Sequence, residues 1–529
     1  MNLESIGDYD YKELTKSNNV VLVPNHQSHA DYIALNYALY KKFKVPTYIA
    51  GGINLNVFPI GKIFRKSGCF FIRRSFSSDI TYKLALEAYL YYLLIEGKPI
   101  EFFFEGGRSR SGKLLPPRYG LFQMLSLAHQ QIPESKRKKL LFVPVSIMHE
   151  YVPEQKTLTK ELGGASKKKE STKELLKVFH IFRYKLGSIH IRLGDPINFQ
   201  INAVDEVKKQ IQNLAFSCFR SVGSKMLITP TSLVSLILLD EPEGAMKSTE
   251  IYDKAHRIIN YCIKYKIPVT ESLKDLGQIQ NGVDYALDIL VNNKKVDVIG
   301  NKSVGHIFYA IKDGARAEIL YFKNSILHHF IVPWIINSTW VNLFNGTIKE
   351  ENDLREHFIK LRDLLKFEFY LPTTGKALTR AFRVISNSTG RQIYNLKDCF
   401  KLDHEELMKI GREVGIFSRS HTYIIENYFI CALAIKVIFQ KKNNSFKLDQ
   451  FYKKAKEVFD TEKSLGRVIR HSESYSLPVI KNGVKYFENL GILQNEKGEF
   501  FISRVSSLDD QIVLLERELE LQTKLVFQG

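Results

Sequence analysis

Short apolar runs of β-type composition punctuate the first part of the chain: Val20–Pro24, Thr47–Gly51, Cys69–Arg73, Ile100–Phe104, Leu140–Ile147 and Ser188–Leu193. Between them, Asp31–Lys42, Ser78–Glu96, Tyr119–Gln130, Thr172–Tyr184 and Ala203–Ser221 carry apolar residues at helical spacing. This alternation predicts an α/β domain over residues 1–228, with a mainly buried sheet flanked by helices. Beyond Thr229-Pro230 the texture changes. Thr249–Tyr265, Thr347–Phe367 and Glu405–Gln440 read as helices and convincing strands are few, so residues 229–529 form a mainly α-helical C-terminal region. No internal repeat is evident, and the Lys-rich Ser135–Lys139 and Ser166–Lys169 read as solvated loops.

The first candidate chemistry follows the first apolar run, at Asn25-His-Gln-Ser-His-Ala-Asp31. Five residues along an α-helix rotate two side chains by about 140°, so His26 and Asp31 meet only if one lies outside the helix. Ser28-His-Ala-Asp31 has the form of a helix start, with Ser28 as N-cap and Asp31 in the first turn. His26 then sits in the strand-to-helix loop and folds back on Asp31, whose carboxylate would fix the ring tautomer and support its cation. The competing reading is a plain capping box with His26 as a loop residue. A metal site on His26, His29 and Asp31 is a third, with no HExxH pattern or Cys partner behind it.

Two further runs end in arginine. Gly68–Arg74 closes on Arg73-Arg74, and strand alternation lets only one of the pair face a shared site. Ile100–Arg110 opens into a Gly-rich loop with Glu105, Gly106, Arg108 and Arg110, where backbone amides and guanidinium forks suit phosphate oxygens. Gly107 to Gly112-Lys113 also fits G-x-x-x-x-G-K, but Leu114 stands where a P-loop needs Ser or Thr, and Pro116-Pro117 oppose the helix that must follow. Pro144, within Val143-Pro-Val145, either shapes a wall of the same site or marks a bulge or sheet edge.

Composition narrows the partners. A chain of 529 residues with net charge +20 is drawn to anions: nucleic acid, an acidic membrane surface, an acidic carrier protein or a phosphorylated substrate. Five scattered cysteines with no CxxC pair argue against a disulfide framework or a structural zinc site and fit a reducing compartment. The opening MNLESIGDYDYKEL does not read as a secretory signal, and Leu525–Gly529 matches no lipidation or peroxisomal address. Thr231–Leu239 and Ile326–Ile336 are too short to span a bilayer and Tyr423–Gln440 is interrupted by Glu426 and Lys436, so no transmembrane helix is expected.

In this order, the segments resemble the glycerol-3-phosphate and dihydroxyacetone-phosphate acyltransferases of the glycerophospholipid acyltransferase superfamily. His26–Asp31 is similar to the family's H-x-x-x-x-D block, Gly68–Arg74 to its G-x-x-F-x-x-R block, Phe104–Arg110 to its E-G-x-R-S block and Val143–Val145 to its proline-bearing block. The likeness runs on through Glu161–Gly164 and Gly187–Pro196, about the first 200 residues. It implies that His26, aided by Asp31, deprotonates the 1-hydroxyl of glycerol 3-phosphate, which attacks an acyl thioester on coenzyme A or acyl carrier protein to give 1-acylglycerol 3-phosphate. Arg74, Arg108 and Arg110 would hold the phosphate, Glu105 and Gly106 would shape the loop, and no metal or other cofactor is needed. Gln27, where this branch often has arginine, and Gly107, where it often has threonine, bear on acceptor choice. Dihydroxyacetone phosphate or a lysophospholipid is the alternative acceptor. A peripheral place on the cytoplasmic face of an anionic membrane follows. A basic nucleic-acid-binding protein or a noncatalytic membrane-surface scaffold would match the charge, but the first leaves His26, Asp31 and the arginine loops unexplained.

Overall fold

The computed structural model describes residues 2–5, 9–56, 60–73, 79–162, 184–241, 244–300, 307–440, 445–468 and 475–524. The chain divides into two compact units, one of residues 1–155, 166–231 and 268–270, the other of 156–165, 232–267 and 271–529.

The first unit is built on a mixed sheet of β1 (Asn2–Ser5), β2 (Asn19–Pro24), β3 (Tyr48–Gly52), β4 (Cys69–Ile72), β5 (Ile100–Phe102), β6 (Leu140–His149), β7 (Ile189–Leu193) and β8 (Ile197–Asn198). Their order is β1-β7-β6-β2-β5-β3-β4, with β8 also on β6. The β1 to β7 pair and all pairs among β2, β3, β4, β5 and β6 are parallel, whereas β7 and β8 run antiparallel to β6. All six apolar runs form strands. The short β1 and β8 carry no alternation long enough to have announced them.

Helices cover both faces, which is why β2 is buried along its whole length. Val21, Val23, Phe102, Phe104 and Phe142 pack under α4 (Ile80–Ile95), α5 (Gly120–Gln130) and α7 (Val207–Lys225). Val20, Leu22, Val143, Val145 and Ile147 pack under α1 (Tyr11–Ser17), α2 (Asp31–Phe43) and α3 (Ile60–Lys66). α6 is Gln155–Leu162, and most of the helix expected over Thr172–Tyr184 lies outside the described residues.

The second unit is mainly helical. The segment expected as one helix over Glu405–Gln440 is two, His404–Val414 and Thr422–Gln440, parted by a 3-10 turn at Gly415–Phe417 where Ser420 Oγ donates to the Phe417 carbonyl at 2.7 Å. Among the described residues, Thr422–Gln440 is the one helix long and apolar enough to cross a membrane. It is buried along most of its length and packs against Leu448–Ser464, Leu477–Asn489 and Val505–Lys524.

This unit contains an internal repeat, which corrects the sequence reading. Strand Ala245–Lys247 leads into helix Ser248–Lys264, then helix Ile279–Asn292 and hairpin Val296–Ile299/Phe308–Ile311, whose second strand pairs back onto the first. Strand Ser445–Lys447, helices Leu448–Ser464 and Leu477–Asn489 and hairpin Leu493–Glu496/Glu499–Ile502 repeat the path and the pairing. Ile279-Gln-Asn-Gly-Val-Asp-Tyr285 answers to Ile480-Lys-Asn-Gly-Val-Lys-Tyr486. Both glycines mark close approach: a Cβ on Gly282 would lie 2.9 Å from Leu273 Cδ2, and one on Gly483 2.9 Å from Cys431 Sγ. The long helical stretch between the copies, and their sparse identity, hid the pattern.

Candidate active site

β2 ends at Pro24, and the loop that follows is pinned to its neighbour. Asn25 Nδ2 donates to the Ile147 carbonyl at 3.0 Å while Asn25 Oδ1 accepts from the Ile147 N–H at 2.7 Å, so a side chain prolongs the pairing of β2 with β6. The next residue, His26, is bracketed by the loop after β5: its N–H donates to Glu105 Oε1 at 2.7 Å and its carbonyl accepts from Ser109 N–H at 2.9 Å. Its ring packs on Phe103 and Tyr32, with centroids 4.2 and 5.1 Å away. Three elements therefore fix one imidazole.

Asp31 opens α2, and its Oδ2 accepts from His26 Nδ1 at 2.9 Å, from Gln27 N–H at 2.7 Å and from Ser28 N–H at 2.9 Å. The capping box of the competing reading does not form. Ala30 is the N-cap, Ser28 Oγ turns to Glu154, and the Asp31 carboxylate folds back over the loop. The side chains of His26 and Asp31 meet because His26 lies before the helix, as the spacing required.

A second histidine completes the group. His149, the last residue of β6, places Nε2 2.5 Å from Asp31 Oδ1. Along β6 it shares the face of Val143, Val145 and Ile147, toward α2, so alternation directs it to Asp31. No motif flagged it; the available signal was a lone histidine in phase with the buried face of a strand.

The electrostatics follow from burial and these partners. Burial alone would raise the Asp31 carboxyl, but His149 and His26 outweigh it and hold Asp31 well below the usual carboxylate range. A carboxylate only accepts, so Nδ1 of His26 carries a proton. Burial lowers His26 from its ordinary value near 6.5 despite Asp31's opposing pull, with Arg108 adding to the lowering. Neutral His26 therefore bears its lone pair on Nε2, which has no hydrogen-bond partner among the described residues.

In the loop after β5, both Glu105 oxygens accept backbone N–H groups, Oε1 from His26 and Oε2 from Leu115 at 3.0 Å, so Glu105 ties the loop to the histidine. Burial pushes its carboxyl up to about 8 while those two N–H groups pull it down. Gly106 has φ +69°, and a Cβ there would lie 2.9 Å from Arg118 Cγ. The Arg108 side chain is 14% exposed, with Nη1 3.8 Å from Glu154 Oε1. Glu154 also accepts from Ser28 Oγ at 3.0 Å and from His29 N–H at 3.1 Å, which links the arginine loop to the histidine loop. Arg110 Nη1 lies 3.4 Å from the Arg108 carbonyl.

Two of the expected residues, Arg74 and Pro144, remain. Arg74 lies outside the described residues; its neighbour Arg73 pairs with Asp79 at 2.7 Å on the surface. Pro144 is not at an edge, since β6 lies between β2 and β7; it sits opposite the break between β7 and β8, where the register slips by one residue between the Val145–Leu193 and Phe142–Ile197 pairs. Its carbonyl accepts from Gly194 N–H at 2.7 Å, so its donor-less nitrogen faces the gap between β7 and β8, where no ladder bond is lost. Its ring alternates onto the Phe142 face, opposite the face on which Asp31 and His149 meet.

Residues 6–148 match the acyltransferase family model, and residues 159–496 match that of the glycerol-3-phosphate acyltransferase C-terminal region. A glycerol-3-phosphate acyltransferase of Pseudoalteromonas translucida is 35% identical over 349 residues, covering 61% of this chain and 41% of that protein. One from Pseudomonas entomophila is 31% identical over 385 residues, 68% of this chain and 44% of the relative, and one from Haemophilus influenzae is 28% identical over 440 residues, 78% and 51%. The chain thus spans about half the length of these relatives.

Proposed function

The chain belongs to the glycerol-3-phosphate acyltransferase family, and from that premise we propose that it transfers a fatty acyl group from an acyl thioester to the 1-hydroxyl of glycerol 3-phosphate. His26 Nε2 removes the hydroxyl proton as the oxygen attacks the thioester carbonyl. Nδ1–H remains bonded to Asp31, which stabilises the imidazolium. The tetrahedral intermediate collapses with cleavage of the C–S bond, and the departing thiolate takes its proton from Nε2. Base assistance of this kind contributes about 10²–10⁴-fold. Arg108, with Arg110 and Arg74, binds the acceptor phosphate, and engaging it draws Arg108 from Glu154.

The observation that carries this reading is a buried imidazole whose Nδ1 is bonded to Asp31 while Nε2 has no hydrogen-bond partner among the described residues, with the Arg108 loop bonded to its backbone and burial favouring the neutral ring. Purified protein incubated with labelled glycerol 3-phosphate, or with dihydroxyacetone phosphate, and either acyl-CoA or acyl carrier protein thioester tests acceptor and donor together. Acylglycerol phosphate formed from glycerol 3-phosphate is the expected product. No product with either acceptor, or full turnover after His26→Ala, overturns the assignment.

A further inference from the structure

The face of the first unit that carries α2 and α3 is unusual in charge and in exposure. From Asp31 to Asp79 the sequence contains no acidic residue, while Lys41, Lys42, Lys44, Lys62, Arg65, Lys66, Arg73 and Arg74 fall within it. α2 buries Tyr32, Ala34, Leu35, Ala38 and Leu39 against the sheet and turns Ile33, Tyr37 and Tyr40 outward, exposed by 59, 53 and 56%. These three lie at helical spacing, so they form one stripe. Lys41 and Lys44 lie 5.9 and 5.5 Å from the ring centroids of Tyr37 and Tyr40, which puts cations beside the apolar stripe. α3 repeats the arrangement: Phe64 is buried, with its ring 6.0 Å from that of Tyr32, whereas Ile63 is 60% exposed between Lys62, Arg65 and Lys66.

We propose that this face is the membrane-docking surface, with Ile33, Tyr37, Tyr40 and Ile63 entering the interface of an anionic bilayer and the six lysines and arginines of α2, its C-terminal turn and α3 pairing with lipid headgroups. Amphipathic tyrosines and apolar side chains ringed by cations are the chemistry that an anionic lipid interface selects, and each basic residue near such a surface contributes about fivefold to partitioning. A nucleic-acid groove would engage the cations but leave exposed isoleucines unsatisfied. The proposal deepens the acyl-transfer reading, on which it rests for its purpose: Ile33 stands two residues from Asp31, so docking sets the reacting pair beside the layer in which a fatty thioester and its product dissolve.

Flotation of the full chain with vesicles of phosphatidylglycerol and phosphatidylcholine, compared with pure phosphatidylcholine, tests this directly. Binding to the anionic vesicles that weakens with salt is expected. The variant Ile33→Ser/Tyr37→Ser/Tyr40→Ser should lose at least about tenfold in partitioning, with unchanged circular dichroism and unchanged turnover of a water-soluble short-chain thioester. Ile80→Ser/Leu84→Ser, on α4 across the sheet, should bind as the parent does. Retained binding by the α2 variant, equal loss in the α4 variant, loss of a nucleic-acid complex instead of vesicle binding, or loss of a dimer by light scattering would overturn the surface. Absence of turnover with soluble thioester would instead count against the acyl-transfer reading, leaving the docking result to stand by itself.

Discussion

Asp31 is shared by two histidines, His26 on one carboxylate oxygen and His149, 118 residues away in sequence, on the other. A carboxylate locked from both sides cannot swing, so the direction in which it presents itself to His26 is set by the end of β6. His149 is a positioning residue rather than a group that touches substrate. Replacing it by alanine should lower kcat by roughly tenfold or more, with little change in KM for glycerol 3-phosphate. His149→Gln, whose amide can donate to the same oxygen, should restore part of the rate. Equal loss in both variants, or a KM effect alone, counts against positioning.

The histidine and its aspartate should differ in their pH profiles. Turnover needs neutral His26, whose burial holds it below 6.5, so the rate should rise with pH through a limb whose midpoint lies below 6.5. Asp31 favours the cation; Asp31→Asn should therefore lower the plateau by more than about 10² and move the acid limb to still lower pH. His26→Ala should abolish the limb along with the rate. Initial rates from pH 5 to 8 decide.

Gly106 stands at φ +69° with Arg118 where a Cβ would go. Gly106→Ala should strain the loop by about 1–2 kcal/mol and displace Arg108, raising KM for glycerol 3-phosphate more than KM for the thioester. Gly107, which has open space around its missing Cβ, is the control: Gly107→Ala should leave both constants nearly unchanged.

Stability should fall between about pH 4.5 and 8 through a buried carboxyl that takes no part in the chemistry. Glu101, inside β5, accepts one bond from Thr47 Oγ1 at 3.1 Å, and its other oxygen is sealed without a hydrogen-bond partner among the described residues. Burial pushes it up to about 8, Asp31 adding to the rise and the Thr47 bond opposing it. An unfolded Glu loses its proton near 4.5, so between these values the folded chain holds a proton that the unfolded chain lacks, and stability declines as pH rises through that window. Glu105 acts in the same direction. Glu101→Gln should flatten the decline; urea midpoints at pH 6 and pH 9 measure it, and an unaltered slope would refute the assignment.

Most of the first unit's sheet was legible because a strand covered on both faces must be largely apolar, and β2, β5 and β6 are, even with Glu101 inside β5 and Ser146 and His149 in β6. Asp31's approach to His26 could be read from spacing, since five residues exclude a common helix. The part of His149 could not, because it depends on which strand lies next to β2, and parallel neighbours are set by crossover topology rather than by local pattern. Ser28 misled for a related reason: a side chain that could cap a helix found a better partner in Glu154, far along the chain. The strands of the second unit are three or four residues long, too short for alternation to register.

The doubled strand, two-helix and hairpin module implies that the second unit grew by tandem copying followed by drift. Its copies have since parted in one revealing way: Tyr252 of the first reaches Asp284 at 2.6 Å, whereas the matching positions of the second are Tyr452 and Lys485, a cation where the acid was. Twin scaffolds with opposite local polarity let each copy hold a different partner at the same position. Swapping Asp284 and Lys485 between them would ask which copy each role still requires.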